Sequence, residues 1–89
     1  MSSPETSLIE YPCAFPIKIM GERRDELAQT VLDIVLRHDP NFDGGTMEMR
    51  TSSTGKYLSL TCTVTANSRA QLDALYTELS GHPMVKVVL

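Results

Sequence analysis

In residues 56–66, Lys56-Tyr57-Leu58-Ser59-Leu60-Thr61-Cys62-Thr63-Val64-Thr65-Ala66, the run from Leu58 to Ala66 alternates between apolar and polar without a break. Leu58, Leu60, Cys62, Val64 and Ala66 fall on one side, and Tyr57, Ser59, Thr61, Thr63 and Thr65 on the other. Successive side chains of a strand point to opposite faces, so this period specifies one buried face and one less buried. Just before it, Thr54-Gly55 makes a tight turn. Thr46 to Ser53 then reads as the partner strand, with Met47, Met49 and Thr51 on one face and Glu48 and Arg50 on the other.

After Ala66 the period becomes helical. Ser68, with Gln71 three residues on, is a capping-box signal. Leu72, Leu75, Tyr76 and Leu79 form the apolar stripe of a helix that Gly81 and Pro83 close. Met84 to Leu89 reads as the last strand, with Val85, Val87 and Leu89 facing opposite to Met84, Lys86 and Val88.

Upstream, Asp39-Pro40 ends another helix that begins at Glu22 or Arg23 and runs to about His38. Its stripe is Leu27, Val31, Ile34 and Val35, widened by Ala28 and Leu32. Arg23 and Arg24 oppose the positive end of the helix dipole, and Glu22, Asp25 and Glu26 offset them. Gly21 breaks the strand before this helix. That strand runs from Phe15 to Met20, with Phe15, Ile17 and Ile19 on one side and Pro16, Lys18 and Met20 on the other. Residues 1 to 8 read as a flexible leader, and residues 9–89 as one domain.

The order is strand, helix, strand, strand, helix, strand. Right-handed crossovers place both helices on one face of the sheet. The expectation is therefore an α+β fold: a ferredoxin-like βαββαβ sandwich with a four-stranded antiparallel sheet, strands one and three central. The helices are expected to cover Ile17, Ile19, Leu58, Leu60, Cys62, Val85 and Val87.

The composition fits one small globular domain: 89 residues, 42% hydrophobic and 21% charged. Eleven acids against eight bases give a net charge of -3, which lacks the basic footprint of a general nucleic-acid binder. No apolar run reaches a membrane span. The first residues lack the regions of a signal peptide, and two cysteines make no secreted disulfide framework. A cytoplasmic protein with reduced thiols is the expectation.

No catalytic constellation emerges. Asp39-Pro40-Asn41-Phe42-Asp43-Gly44 matches the first half of a calcium loop, but the twelfth position is Arg50 where a bidentate acid is needed. Cys13, Cys62, His38 and His82 show no paired metal-ligand spacing, and no feature of the sequence activates Cys13 as a nucleophile. No metal, cofactor or catalytic residue is assigned. The turn at Gly21, Arg23 and Arg24 is the candidate ligand site, because backbone N–H groups at a helix start donate hydrogen bonds to anions. The second candidate is the sheet face without helices. Lys18, Met20, Tyr57, Thr61, Met84 and Lys86 are its expected partner-contacting residues. RNA-binding domains of this fold stack bases on aromatics in the middle strands, where this chain carries Lys18, Ser59, Thr61 and Thr63.

Four stretches carry a family resemblance. They are Glu10-Tyr11-Pro12, Phe15-Pro16-Ile17-Lys18-Ile19-Met20-Gly21, Ser52-Ser53-Thr54-Gly55-Lys56-Tyr57 and Met84-Val85-Lys86-Val87-Val88-Leu89. In order and spacing they resemble the YbeD-like family of small uncharacterised bacterial proteins, over residues 8 to 89. The resemblance implies a cytosolic bacterial protein with a domain similar to ACT regulatory modules, and no catalytic residues. Such modules bind small effectors, often amino acids, near the first strand-to-helix turn. On this chain that turn is Met20-Gly21-Glu22-Arg23.

The sequence thus points to a non-enzymatic regulatory or adaptor domain acting through protein contacts, with an unknown partner or a homodimer. The alternative is an ACT-like small-molecule sensor.

Overall fold

The computed structural model describes residues 10–89; the leader expected at residues 1–8, and Ile9, lie outside them. The elements are β1 (Cys13–Glu22), α1 (Asp25–His38), β2 (Glu48–Thr51), β3 (Tyr57–Ala66), α2 (Arg69–Gly81) and β4 (Val85–Val88). A short 3-10 turn over Gly44–Thr46 precedes β2. The sheet order is β2-β3-β1-β4, antiparallel throughout, so the two long strands are central as expected.

Register follows the alternation. Ile17 pairs with Cys62 and Ile19 with Leu60, so the apolar sets of β1 and β3 share one face. Leu27, Val31, Ile34 and Val35 of α1 and Leu72, Leu75 and Leu79 of α2 close over it, and all of these side chains are buried. Leu60 and Val64 are buried, whereas Thr61 is half-buried on the other face and Thr63 is exposed.

Several boundaries differ from the sequence expectation. Gly21 does not end the first strand. It lies within β1, buried, pairing with Leu58 on one side and Val85 on the other. A Cβ there would stand 2.3 Å from the Met84 carbonyl oxygen, so the missing side chain permits close approach of the chain entering β4. Helix α1 accordingly starts at Asp25, not at Glu22 or Arg23, and Asp25 and Glu26 form its first turn. Beyond the hairpin turn, where Gly55 adopts a φ of 77°, the second strand shrinks to Glu48–Thr51.

The phase of the last strand also needs correction. Ile19 pairs with Val88, Met20 with Val87 and Gly21 with Val85, so β4 carries an extra residue between Met20 and Gly21. This bulge breaks the two-residue period. Val85 is buried and Val88 packs on the core, while Lys86 and Val87 are both exposed. Val87 was expected under the helices and stands outside; Val88 was expected outside and packs inside. Met84, expected on the open face, packs against the core.

At the far end of the sheet, one side chain ties three elements together. Gln71 N–H donates to Ser68 Oγ (3.1 Å), as the capping box requires. The amide Nε2 of Gln71 donates to the carbonyl oxygens of His38 (2.8 Å) and Thr65 (3.1 Å), and its Oε1 accepts from Asn67 N–H. Beside it, the buried Asp39 carboxylate accepts from Thr65 N–H (2.9 Å). Asp39, the first residue of the half-matched calcium loop, is thus turned into the domain. Asp43 caps the 3-10 turn through Gly45 N–H.

Candidate functional site: the open face of the sheet

Both helices lie on one side of the sheet, and its other side carries no covering element among the described residues. Register fixes what that side presents. Glu48 of β2 lies opposite Thr61 of β3, which lies opposite Lys18 of β1. In the next row Arg50 faces Ser59, Ser59 faces Met20, and Met20 faces Val87. Glu22 and Tyr57 continue the pattern, and Lys86 Nζ sits 3.8 Å from Glu22 Oε2.

Two shallow depressions lie side by side here. One, of about 290 Å³, is lined by Lys18, Glu48, Met49, Arg50, Ser59 and Thr61. The other, of about 230 Å³, borders Met20 and Tyr57 and shares Lys18, Arg50 and Ser59 with the first. The two share cations and a hydroxyl, and one has an apolar side.

The structure brings Lys18, Met20, Tyr57, Thr61 and Lys86 onto this face, in line with the sequence reading, and removes Met84 from it. Two contributors were missed. Val87, 42% exposed, joins the face through the β4 bulge, which leaves no signature in a Val-Lys-Val-Val run. Arg50 was placed on this face but not singled out as a partner contact. Its opposition to Ser59 depends on the hairpin register.

The turn at Gly21 is separate. Gly21 is buried inside β1, while Arg23 and Arg24 are exposed after it. Arg23 N–H donates to the Lys56 carbonyl oxygen (2.8 Å), tying the chain before α1 to the β2–β3 hairpin. Arg24, the residue before the helix, makes no side-chain cap, and its guanidinium lies 3.5 Å from Glu22 Oε1. Arg23 and Arg24 line an open concavity of about 520 Å³ with Asp25, Ala28, Met49 and Leu58, on the helix side of the sheet.

Cys62 and Glu78 lie away from both places. Cys62 is buried in the core, and burial pushes its thiol up to about 11. Glu78 of α2 accepts from Arg37 and lies 2.7 Å (Oε1) from His38 Nε2, both at the end of α1, and these partners hold its carboxyl below the usual range. Among the described residues no three His, Cys, Asp or Glu side chains converge to hold a metal ion. No helix among them is long and apolar enough to cross a membrane.

The architecture is that of a ferredoxin-like α+β domain whose candidate site is the sheet face opposite its helices. The chain belongs to the DUF493 family of proteins of unknown function, whose model matches residues 6–89. It is 59% identical over 86 residues to a UPF0250 protein of Bordetella pertussis, covering 97% of this chain and 94% of that one. A UPF0250 protein of Paraburkholderia phytofirmans is 54% identical over 89 residues, covering both chains fully. The YbeD-like resemblance read from the sequence is this same family of small uncharacterised bacterial proteins. The fold matches the solution structure of protein HP0495 from H. pylori, with a TM-score of 0.75 at 17% identity, covering 100% of this chain and 97% of that one. The relatives' names carry no activity.

Proposed function

We propose that this protein is a non-enzymatic regulatory or adaptor module that works by protein contacts through the open face of its sheet. The observation that carries the reading is the one-sided placement of the helices. It leaves Met20, Tyr57 and Val87 as an apolar strip beside Lys18, Arg50 and Lys86. Tyr57 is 40% exposed and Val87 42%. Aromatic and aliphatic side chains next to cations are the composition of a contact surface, with an apolar centre and a charged rim. The cytoplasm is the compartment this reading assigns.

Tyr57→Asp and Val87→Asp place a charge in that strip without touching the core. A protein retained by the wild-type chain from its native host should be lost by both variants, and the purified pair should reassociate only with the wild type. Static light scattering reads the homodimer form of the same proposal. A monomer at high concentration, together with retention unaffected by either variant, rejects it.

A second reading is an ACT-like small-molecule sensor near the first strand-to-helix turn. The concavity lined by Arg23 and Arg24 favours it. Because Gly21 is buried, the contacts in that reading come from the two arginines. Amide shifts clustered at residues 23–28 on titration with amino acids support it, and a silent titration removes it.

A further inference from the structure

Lys18 and Arg50 differ from most other cations of this chain. Arg24, Arg37, Arg69 and Lys86 each hold an ion pair with a carboxylate, whereas Lys18 and Arg50, like Arg23 and Lys56, hold none among the described residues, and of these four only Lys18 and Arg50 stand on the strands of the open face. They stand on β1 and β2, flanking β3. Lys18 is level with Thr61 and Arg50 with Ser59. Two strand spacings across and two residues along put their Cα atoms about 12 Å apart. Lys18, Arg50 and Ser59 line both depressions, and side chains of this length can reach an anion above β3 from either side, with the Ser59 hydroxyl as a donor beneath it.

Glu48 decides where such an anion sits. It lies two residues before Arg50 on the same face, opposite Thr61. Its carboxylate repels an anion at the Thr61 end and leaves the Ser59 end as the seat. That end adjoins the depression bordered by Met20 and the Tyr57 ring. The seat is therefore polar at one side and apolar at the other.

We propose that the open face binds a small organic anion, a carboxylate or phosphate monoester with a compact apolar body. Its charged group lies between Lys18, Arg50 and Ser59, and its body lies on Met20 and Tyr57. This site is distinct from the helix-side concavity at Arg23 and Arg24. It requires no protein partner, so it stands or falls apart from the contact reading.

The test is a ¹⁵N-resolved NMR titration of the full chain with benzoate and with phenyl phosphate, using acetate and inorganic phosphate as the body-less controls. Shifts should cluster at residues 18–20, 50–53 and 57–59, with the aromatic probes binding more tightly than their controls. Stronger binding of benzoate or of phenyl phosphate identifies which anion the seat prefers. Lys18→Met with Arg50→Met should weaken binding by about tenfold or more, because two charge-assisted contacts are lost. Glu48→Gln should tighten it about two- to threefold by removing a like charge. The amide spectrum of each variant reports that it is folded. No shift up to about 10 mM probe, shifts centred at Arg23 and Arg24 instead, or a Glu48→Gln variant that binds no more tightly, overturns the proposal.

Discussion

Gly21 shows how much a single missing side chain decides. The Met84 carbonyl oxygen would be 2.3 Å from a Cβ there, and the Leu27 methyl groups 3.2 and 3.3 Å. A methyl can yield to a methyl by a rotamer change, but a backbone carbonyl beside a strand ladder cannot move without opening the ladder. Gly21→Ala therefore should destabilise the domain by about 1–3 kcal/mol, the usual cost of overpacking. Urea unfolding checks this, and a midpoint equal to that of the wild type would show that β4 is free to move. The sequence marks Gly21 as special. A glycine between a strand pattern and a helical one reads as a break by default. Its actual role depends on Met84, 63 positions away in sequence, so no local pattern could reveal it. Cys62 is the opposite case. Its place in a strict alternation already says that it is buried, and burial raises its pKa to about 11. A thiol that is neutral and enclosed should resist alkylation in the native state, whereas the partly exposed Cys13 should react first. Mass spectrometry of the labelled chain should show one adduct early and the second only at the rate of unfolding. Two adducts at equal rates would mean that β3 opens locally.

Between elements, the C-terminal end of α1 meets α2 through Glu78. Arg37 and His38 at the end of α1 both reach this carboxylate, and the Arg37 contact does most to hold its pKa below the ordinary value of about 4.5. A carboxylate whose pKa is depressed in the folded state contributes stability that is fully present above the unfolded value. That contribution is lost as pH falls through the folded value. Glu78→Gln should thus lower Tm at neutral pH, and its curve should converge on the wild-type curve below the ordinary carboxylate range. Thermal melts from neutral pH into acid read this directly. A constant gap across the series would assign the effect to packing instead. The pair is exposed enough that added salt should narrow the neutral-pH gap. The helices themselves were readable from their stripes, and Ser68-x-x-Gln71 from its spacing. That Gln71 also bonds His38 and Thr65 was not, because capping motifs specify only local partners.

For the whole molecule, the controlling fact is that both helices lie on one side of the sheet, and no element among the described residues covers the other. Alternation in β3 alone assigned Leu60, Cys62 and Val64 to the core and Thr61 and Thr63 away from it. Chirality of the crossovers placed the helices together. The residues of the open face on β1 and β3 followed at once. Glu48 and Arg50 of β2 also stand on the side their alternation assigns; those of β4 did not follow, since four residues of Val-Lys-Val-Val carry too little period to fix their own phase against a bulge. This is why Met84 and Val87 exchanged places, while Lys18, Met20, Tyr57 and Thr61 kept theirs.

The sequence by itself determined the order of elements, the two helical stripes and the inward side of both central strands, because each is a short-range period imposed by backbone geometry. Only the tertiary structure decided that β1 continues through Gly21, that β4 is shifted by one residue, and that Lys18 and Arg50 flank Ser59 with no carboxylate partner among the described residues. Those features arise from register between segments distant along the chain, where the energy of pairing and close packing, not local pattern, chooses among alternatives.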